Sequence, residues 1–502
     1  MQSRFRFLTH PNFLVPTVAL LLRLIYLLHI QSSPYFNSPE LDSKMHDLWA
    51  QQIVAGDFAS HEPFFRAPLY YYFLALIYYL FGHNYLVPRL LQICLGAFAA
   101  WLTYRLGRRI YGENAGIIAG FIYACCGPLI YFDAELRIPA VLLPLILLTL
   151  LQLDRQRENP STKGFLLAGA LLGLTALARP NIMIILPFVW IWILLILRGK
   201  WQFALSITLG TVLLIAPVTL RNYIVGDDVV LVGSQAGVNY YIGNNPQSDG
   251  YTAIVPGTPG DWEGGYRETI RIAEEATGKE LKPSQVSRYW FNRAFLEMSE
   301  DIPRWISLTW HKSRLLFSGH EIGNNDDIYF NRRFSWLLGF LMWEKGLAFP
   351  FGLLMPFGLF SLLLIFNWKR DSLSLLFFAS YAAGIIAFFV CTRFRLPLIP
   401  ILAIWSGAGA LCLMQIIKKK NLRKYIPQLI IFAALLVTLN LNPLAGAGTE
   451  NFEGAYYLGG KYLEKGKVEQ ALAAYQEAVR LDPASARARN GLAMTLLRHG
   501  ER

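Results

Sequence analysis

"LYYYFLALIYYLF", residues 69–81, decides how this chain is threaded. It is apolar throughout, yet well short of the roughly 20 residues that cross a bilayer. If it crossed, Arg105, Arg108 and Arg109 would be carried outside, and later basic clusters would follow them to the wrong side. If it lies in the interface or re-enters, its tyrosines sit at headgroup level. Every strong basic cluster then faces the cytoplasm: Arg4 and Arg6; Arg105, Arg108 and Arg109; Arg155, Arg157 and Lys163; Arg198 and Lys200; Lys369 and Arg370; and Lys418, Lys419, Lys420, Arg423 and Lys424. One assumption orders six loops, because short cytoplasmic loops carry the excess of Lys and Arg.

The expected spans are then roughly 9–30, 86–106, 114–132, 137–153, 164–178, 181–198, 202–220, 347–366, 372–391, 396–416 and 425–441, with an outward C-terminus. The fold class is an all-α polytopic membrane protein of about eleven spans. Residues 1–220 form an N-terminal transmembrane module containing a first outer loop, 31–85. An extracytoplasmic loop domain covers 221–345, a second transmembrane module 346–441, and a helical tail 452–502. Composition agrees: 54% of the 502 residues are hydrophobic and 16% charged, against about a quarter charged in soluble domains. The net charge of +12 resides in the short loops, so it orients helices and gives no sign of a nucleic-acid partner. The start "MQSRFRF" reads as a cytoplasmic tail without a cleavable signal, since Pro16 and Arg23 interrupt the first apolar run. Five cysteines, at 94, 125, 126, 391 and 412, lie in or against apolar runs with no metal-ligand spacing and read as small core residues.

Just past the first span, "SPELDSKMHDLWA" (38–50) crowds Asp42, His46 and Asp47 onto the outer side. Asp42, His46, Trp49 and Ile53 recur at helical spacing, so 42–55 reads as an amphipathic helix on the membrane, with Asp42 either its N-cap or a functional carboxylate. "FDAEL" (132–136) brings Asp133 and Glu135 to the same face. "FFRAP" (64–68), "LARPN" (177–181) and "CTRFRLP" (391–397) bring Arg66, Arg179, Arg393 and Arg395. Arginines at span ends often reach for headgroups. Arg23, deep in the first span, is harder to dismiss, because an intramembrane charge is a functional candidate by default. Carboxylates and arginines converging at one membrane face suit transfer of a sugar from a lipid phosphate. The departing phosphate gathers negative charge that guanidinium groups stabilise, while a carboxylate takes the proton of the attacking hydroxyl.

In this order, Asp42 with His46 and Trp49–Ala50, "FFRAPLYYYFLALIYYLFG" (64–82) and "YFDAEL" (131–136) resemble the GT-C membrane glycosyltransferases. The nearest branch is that of the protein O-mannosyltransferases and the aminoarabinose transferases of lipid A. The segments at 220–250, 311–327 and 392–400 extend the resemblance to roughly residues 10–440. It implies a polyprenyl-phosphate-linked sugar and an inverting single displacement onto a hydroxyl or amine of a protein, lipid or glycan. It also implies Asp42 as the base or as the group that orients the acceptor hydroxyl, Glu135 as the second catalytic acid, and Arg66 with Arg395 or Arg179 as holders of the lipid phosphate; Arg23 is expected to join them from its place inside the first span. His46, Asp47, Asp133, Asn239 and Glu321 are expected to support the site or bind acceptor. No cofactor is required; Asp42 could help to hold a divalent cation, but no spacing establishes one. Ser43 follows Asp42 where many relatives of the family carry Glu. The resemblance and the inward lean of Lys and Arg together suggest a bacterial inner membrane with the site facing the periplasm.

The tail "AYYLGGKYLEKGKVEQALAAYQEAVRLDP" (455–483) carries Leu458, Gly459, Tyr462, Ala471, Tyr475, Ala478 and Pro483 at tetratricopeptide offsets, and a second repeat begins after it. About three repeats are normally needed for a stable solenoid. This one should therefore dock on the outer domain, another subunit or a protein partner, behind the linker 442–451. Two other functions compete with an enzyme. A lipid-linked-sugar flippase would place ionisable groups at mid-span in repeated segments, and a scaffold for envelope assembly would work only through the tail.

Overall fold

The computed structural model describes residues 10–58, 62–197, 200–259, 262–323, 327–444 and 452–500. Arg4, Arg6, Arg198, Asn324 and Asp326, with most of the 442–451 linker, lie outside the described residues. Among the described residues the chain is helical throughout, with one isolated β-bridge between Trp343 and Phe349.

The first module runs α1 (Pro11–Ile30), α2 (Leu41–Val54), α3 (Leu69–Phe81), α4 (Leu86–Tyr111), α5 (Glu113–Ala124), α6 (Gly127–Ala134), α7 (Pro139–Glu158), α8 (Thr162–Ala178), α9 (Ile185–Ile196) and α10 (Trp201–Gly226). The outer segment holds α11 (Ala236–Asn244), α12 (Trp262–Thr277), α13 (Pro283–Glu300), α14 (Ile302–Phe317) and α15 (Trp336–Leu341). The second module is α16 (Phe351–Ile365), α17 (Trp368–Ala387), α18 (Ile399–Lys418) and α19 (Ile426–Asn440). The tail is α20 (Phe452–Glu464), α21 (Val468–Leu481) and α22 (Ala486–Gly500).

Among the described residues, six helices are long and apolar enough to cross a membrane, and seven if α5 and α6, bent by 56°, count as one. A helix occupies each of the eleven expected segments, but several are shorter than that criterion: Thr162–Ala178, Pro180–Ile196 and Phe351–Ile365 are apolar helices of 10–17 residues. The disputed segment is the 13-residue α3, about 20 Å long at 1.5 Å per residue. It lies along α2 in a common apolar cluster with Ala50, Ile53 and Phe64, and leaves Leu76, Tyr79, Leu80 and Phe81 exposed.

One end of the bundle gathers the basic loops. Arg109 of α4 pairs with Asp154 of α7 at 2.5 Å and Glu158 at 2.6 Å, Arg157 donates to the Arg370 carbonyl at 2.9 Å, and the Tyr111 hydroxyl donates to Asp371 at 2.9 Å. Clusters assigned to the cytoplasm from charge alone thus share one face, bound by acids that neutralise some of them. The spans pack closely: a side chain on Gly169 of α8 would collide with the Ile207 backbone of α10, so the two helices touch through bare backbone. The cysteines are unpaired; Cys126 and Cys391 are buried, whereas Cys94 is exposed, on the outer surface of α4 where lipid would lie.

The deep charge of α1 is answered inside the bundle. Arg23 is fully buried and pairs with Asp133 at 2.7 Å, donating also to the Ala19 and Ala124 carbonyls at 3.1 and 3.3 Å. Gly96 of α4 makes the space, since a Cβ there would overlap both Asp133 and Arg23. Removing one partner of a buried pair strands the other charge at a cost of about 3–5 kcal/mol, whereas removing both is far milder. Arg23→Met should therefore lower the detergent-solubilised Tm sharply, and Arg23→Met with Asp133→Leu should recover most of it.

Candidate active site

At the opposite end of the bundle, α2 carries Asp42 at the edge of a cavity of about 220 Å³. Asp42 does not cap its helix. Glu40 is the N-cap residue, and the Asp42 oxygens turn outward to guanidinium groups, with Oδ1 to Arg66 at 2.8 Å and Oδ2 to Arg393. Arg137 donates to the neighbouring Ser43 hydroxyl at 3.2 Å. Arg179 lines the same cavity with its guanidinium 3.9 Å from the Phe394 ring centre. One carboxylate thus faces four guanidiniums. Leu41, between Glu40 and Asp42, holds φ at +48°, a left-handed conformation that costs a non-glycine residue about 1–3 kcal/mol and persists only where its surroundings impose it.

Each arginine is held from a different direction. Residues 64–66 are tied to the end of α10, where Phe64 N–H donates to Asn222 at 3.1 Å and Arg221 donates to the Glu62 carbonyl at 2.8 Å. The strand-like stretch before α11 grips the same loop, with Ser234 and Gln235 donating to the Phe64 and Phe65 carbonyls at 3.0 and 3.1 Å. Arg137 follows a turn pinned by α4, whose Arg89 donates to the Ala134 carbonyl at 2.8 Å and whose Gln92 donates to the Asp133 and Glu135 carbonyls at 3.0 and 2.5 Å. Arg393 lies in the turn before α18, where the Thr392 N–H donates to the Ile322 carbonyl at 3.0 Å and the Ile322 N–H donates to the Thr392 hydroxyl at 2.8 Å.

Burial raises the Asp42 pKa, but the Arg66, Arg393 and Arg137 charges outweigh it and hold the carboxyl well below the usual carboxylate range. His46, one turn on, is held down to about 3, first by burial and then by Arg66. A neutral imidazole beside the Leu136 carbonyl at 3.3 Å must donate from Nδ1, because a carbonyl only accepts. Nε2 is then the unprotonated nitrogen.

Of the expected site residues, Asp42, His46, Arg66, Arg179 and Asn239 line this one cavity. The structure separates the others. Glu135 lines an adjoining cavity of about 50 Å³ that shares Arg137 with the first. Asp47 accepts from Tyr78 at 2.7 Å, His83 at 2.9 Å and Tyr85 at 3.0 Å, and so fastens α2 to α3 and its C-terminal loop. Arg23 and Asp133 neutralise each other in the bundle. Arg395 is closed on Glu321 at 2.7 Å and on the Ser318 and His320 carbonyls, two residues away from the arginine that does reach Asp42. Arg137 is absent from the sequence expectation, although a signal for it exists. Arg66, Arg137 and Arg395 each stand two residues before a proline, and Arg179 stands directly before one.

A divalent cation does not suit the surroundings of Asp42, whose two oxygens are engaged by the guanidiniums of Arg66 and Arg393. No group of three His, Cys, Asp or Glu side chains with metal-binding proximity occurs among the described residues.

The His46 value sets a pH dependence. Unfolded, the ring takes a proton below about 6.5; folded, it does so only near 3. Its contribution to stability is thus complete above 6.5 and is lost as pH falls towards 3. His46→Gln should show a smaller drop in Tm between pH 7 and pH 5 than the unaltered chain.

Residues 65–222 match the family model described as dolichyl-phosphate-mannose-protein mannosyltransferase, and residues 459–500 match a TPR repeat model. No curated protein matches the chain. Among solved structures, the archaeal oligosaccharyltransferase AglB from Archaeoglobus fulgidus, in complex with an inhibitory peptide and a dolichol-phosphate, is 14% identical with a TM-score of 0.45, over 92% of this chain. The chain spans 59% of that protein's length. ArnT from Cupriavidus metallidurans, bound to undecaprenyl phosphate, is 14% identical with a TM-score of 0.43, over 94% of this chain and 74% of its own. Residues 65–222 of this polytopic membrane chain are thus similar to the dolichyl-phosphate-mannose-protein mannosyltransferases, and residues 459–500 to a tetratricopeptide repeat.

Proposed function

We propose that the chain transfers a sugar from a polyprenyl-phosphate donor to an acceptor hydroxyl, in the cavity beside α2. The observation that carries this reading is the clamp of Asp42 between Arg66 and Arg393. A carboxylate so held is a weak base, and the guanidiniums of Arg66, Arg393, Arg137 and Arg179 gather around it. Guanidiniums gathered at one rim stabilise the charge of an arriving or departing anion. A lipid phosphate is such an anion, and the match to a dolichyl-phosphate-dependent family starts at Phe65, beside Arg66.

The reaction reads as an exchange of partners. The donor phosphate draws Arg66 and Arg393, with Arg179 and Arg137 nearby, away from Asp42. The carboxylate, released from its clamp, becomes basic enough to accept the proton of the acceptor hydroxyl. The acceptor oxygen bonds to the anomeric carbon as the bond from that carbon to the phosphate oxygen breaks, and the phosphate leaves with the electron pair. A single displacement of this kind inverts the anomeric centre. His46, neutral, and Asn239 line the same cavity. The cavity stands on the face opposite the basic loops, which suits a site on the periplasmic side of a bacterial inner membrane.

The test uses membranes containing the full chain and a panel of labelled polyprenyl-phosphate hexoses and pentoses, with label followed into protein, glycan and lipid fractions. Asp42→Asn should lower transfer by about 10²- to 10⁴-fold, the range of general-base catalysis, and Arg66→Ala should raise the donor KM. Wild-type transfer by Asp42→Asn would end the base assignment.

A further inference from the structure

The helical tail folds back onto the site. Phe330 packs in one apolar cluster with Ala455, Leu458 and Ala478 of the repeat. Arg333 pairs with Glu477 through both guanidinium arms at 3.0 and 3.1 Å, and the Tyr35 hydroxyl donates to the Gly454 carbonyl at 3.0 Å. Three side chains of the repeat, Glu453, Tyr457 and Arg487, complete the wall of the Asp42 cavity. Arg487 donates to the Tyr457 hydroxyl at 3.1 Å, and its charge stands 3.5 Å from Glu453.

The most informative contact is made by Lys461. It is buried in α20, 4% exposed, and its ammonium pairs with Glu40 at 2.5 Å and Glu464 at 2.8 Å while donating to the Ser38 hydroxyl at 2.9 Å. Glu40 is the residue from which α2 starts, and Asp42 is two residues later. Between them lies Leu41 in its left-handed conformation. A strained residue of this kind holds only if both neighbours are fixed. Asp42 is fixed by Arg66 and Arg393; Glu40 is fixed by the repeat.

We propose that the C-terminal repeat is a working part of the site, with Lys461 the positioning residue that sets Asp42 through Glu40. The proposal rests on the transfer reading above. It predicts where the damage falls when Lys461 is changed: the donor phosphate is held by arginines of the membrane module, so donor binding is spared, while the carboxylate that receives the proton is displaced. Glu453, Tyr457 and Arg487 give the repeat a direct part in the cavity wall, with polar groups that suit an acceptor's hydroxyls.

The experiment uses the full chain in membranes, with undecaprenyl-phosphate mannose as donor probe, and backbone hydrogen exchange over residues 38–46. Lys461→Met should lower the maximal rate by about ten- to a hundredfold, as small misplacements of reacting groups do, at an unchanged donor KM, and exchange across 40–46 should quicken. Lys461→Arg should restore most of both. Glu40→Gln, which leaves the repeat untouched, should reproduce the loss if Lys461→Met fails to accumulate. A wild-type maximal rate and exchange pattern in both variants, or a donor KM raised as in Arg66→Ala, would overturn the proposal. If the chain proves inactive on this probe, or if Asp42→Asn transfers normally, the transfer reading fails, and the exchange data alone still decide whether Lys461 holds α2.

Discussion

A carboxylate placed out of water among more cations than it can neutralise is the constraint around which the outer half of this protein is organised. Asp42 alone could not keep Arg66, Arg393, Arg137 and Arg179 together, because guanidiniums repel one another when water is removed. Each is therefore fastened by its own scaffold: the end of α10, the turn before α18, the turn after α6 and the end of α8. The scaffolds come from segments hundreds of residues apart, and the bundle brings them to one rim. The result is a pocket rimmed by guanidinium groups.

The bundle below uses the opposite arrangement. Arg23 and Asp133 are matched one to one and closed off, with Gly96 sized to admit them. Arg395 and Glu321 repeat the pattern at the base of the outer domain. Asp47 is saturated by two tyrosines and His83. A buried charge whose partners are all supplied by the chain contributes position; one left with surplus partners of a single sign invites a ligand. That distinction sorts the ionisable residues of the outer face better than their place in the sequence does.

The tail shows how a module too small to stand alone is used. Its glycines and alanines let α20, α21 and α22 pack closely, with Gly459 and Gly491 against the Tyr475 ring, but its apolar core is completed by Phe330 from the outer segment. Its charged residues reach the loop that starts α2. The repeat docks on the outer segment and in turn constrains the start of α2.

Sequence alone determined the class: apolar runs near bilayer length, an amphipathic helix over 42–55 and the repeat pattern near the end all follow from local periodicity, which needs no knowledge of contacts. It also determined the cluster at Asp42, because short-range spacing placed Asp42 and His46 on one helix. Only the tertiary structure decided which arginines serve it. Arg393 and Arg395 differ by two positions in one turn, and side chains two apart point in different directions; one reaches Asp42 and the other is buried against Glu321. The proline-linked arginines signalled Arg137 only weakly, since the same pattern also marks Arg395. Nor could periodicity reveal that Lys461 lies against Glu40, more than 400 residues earlier, for such pairings arise where separately folded surfaces meet.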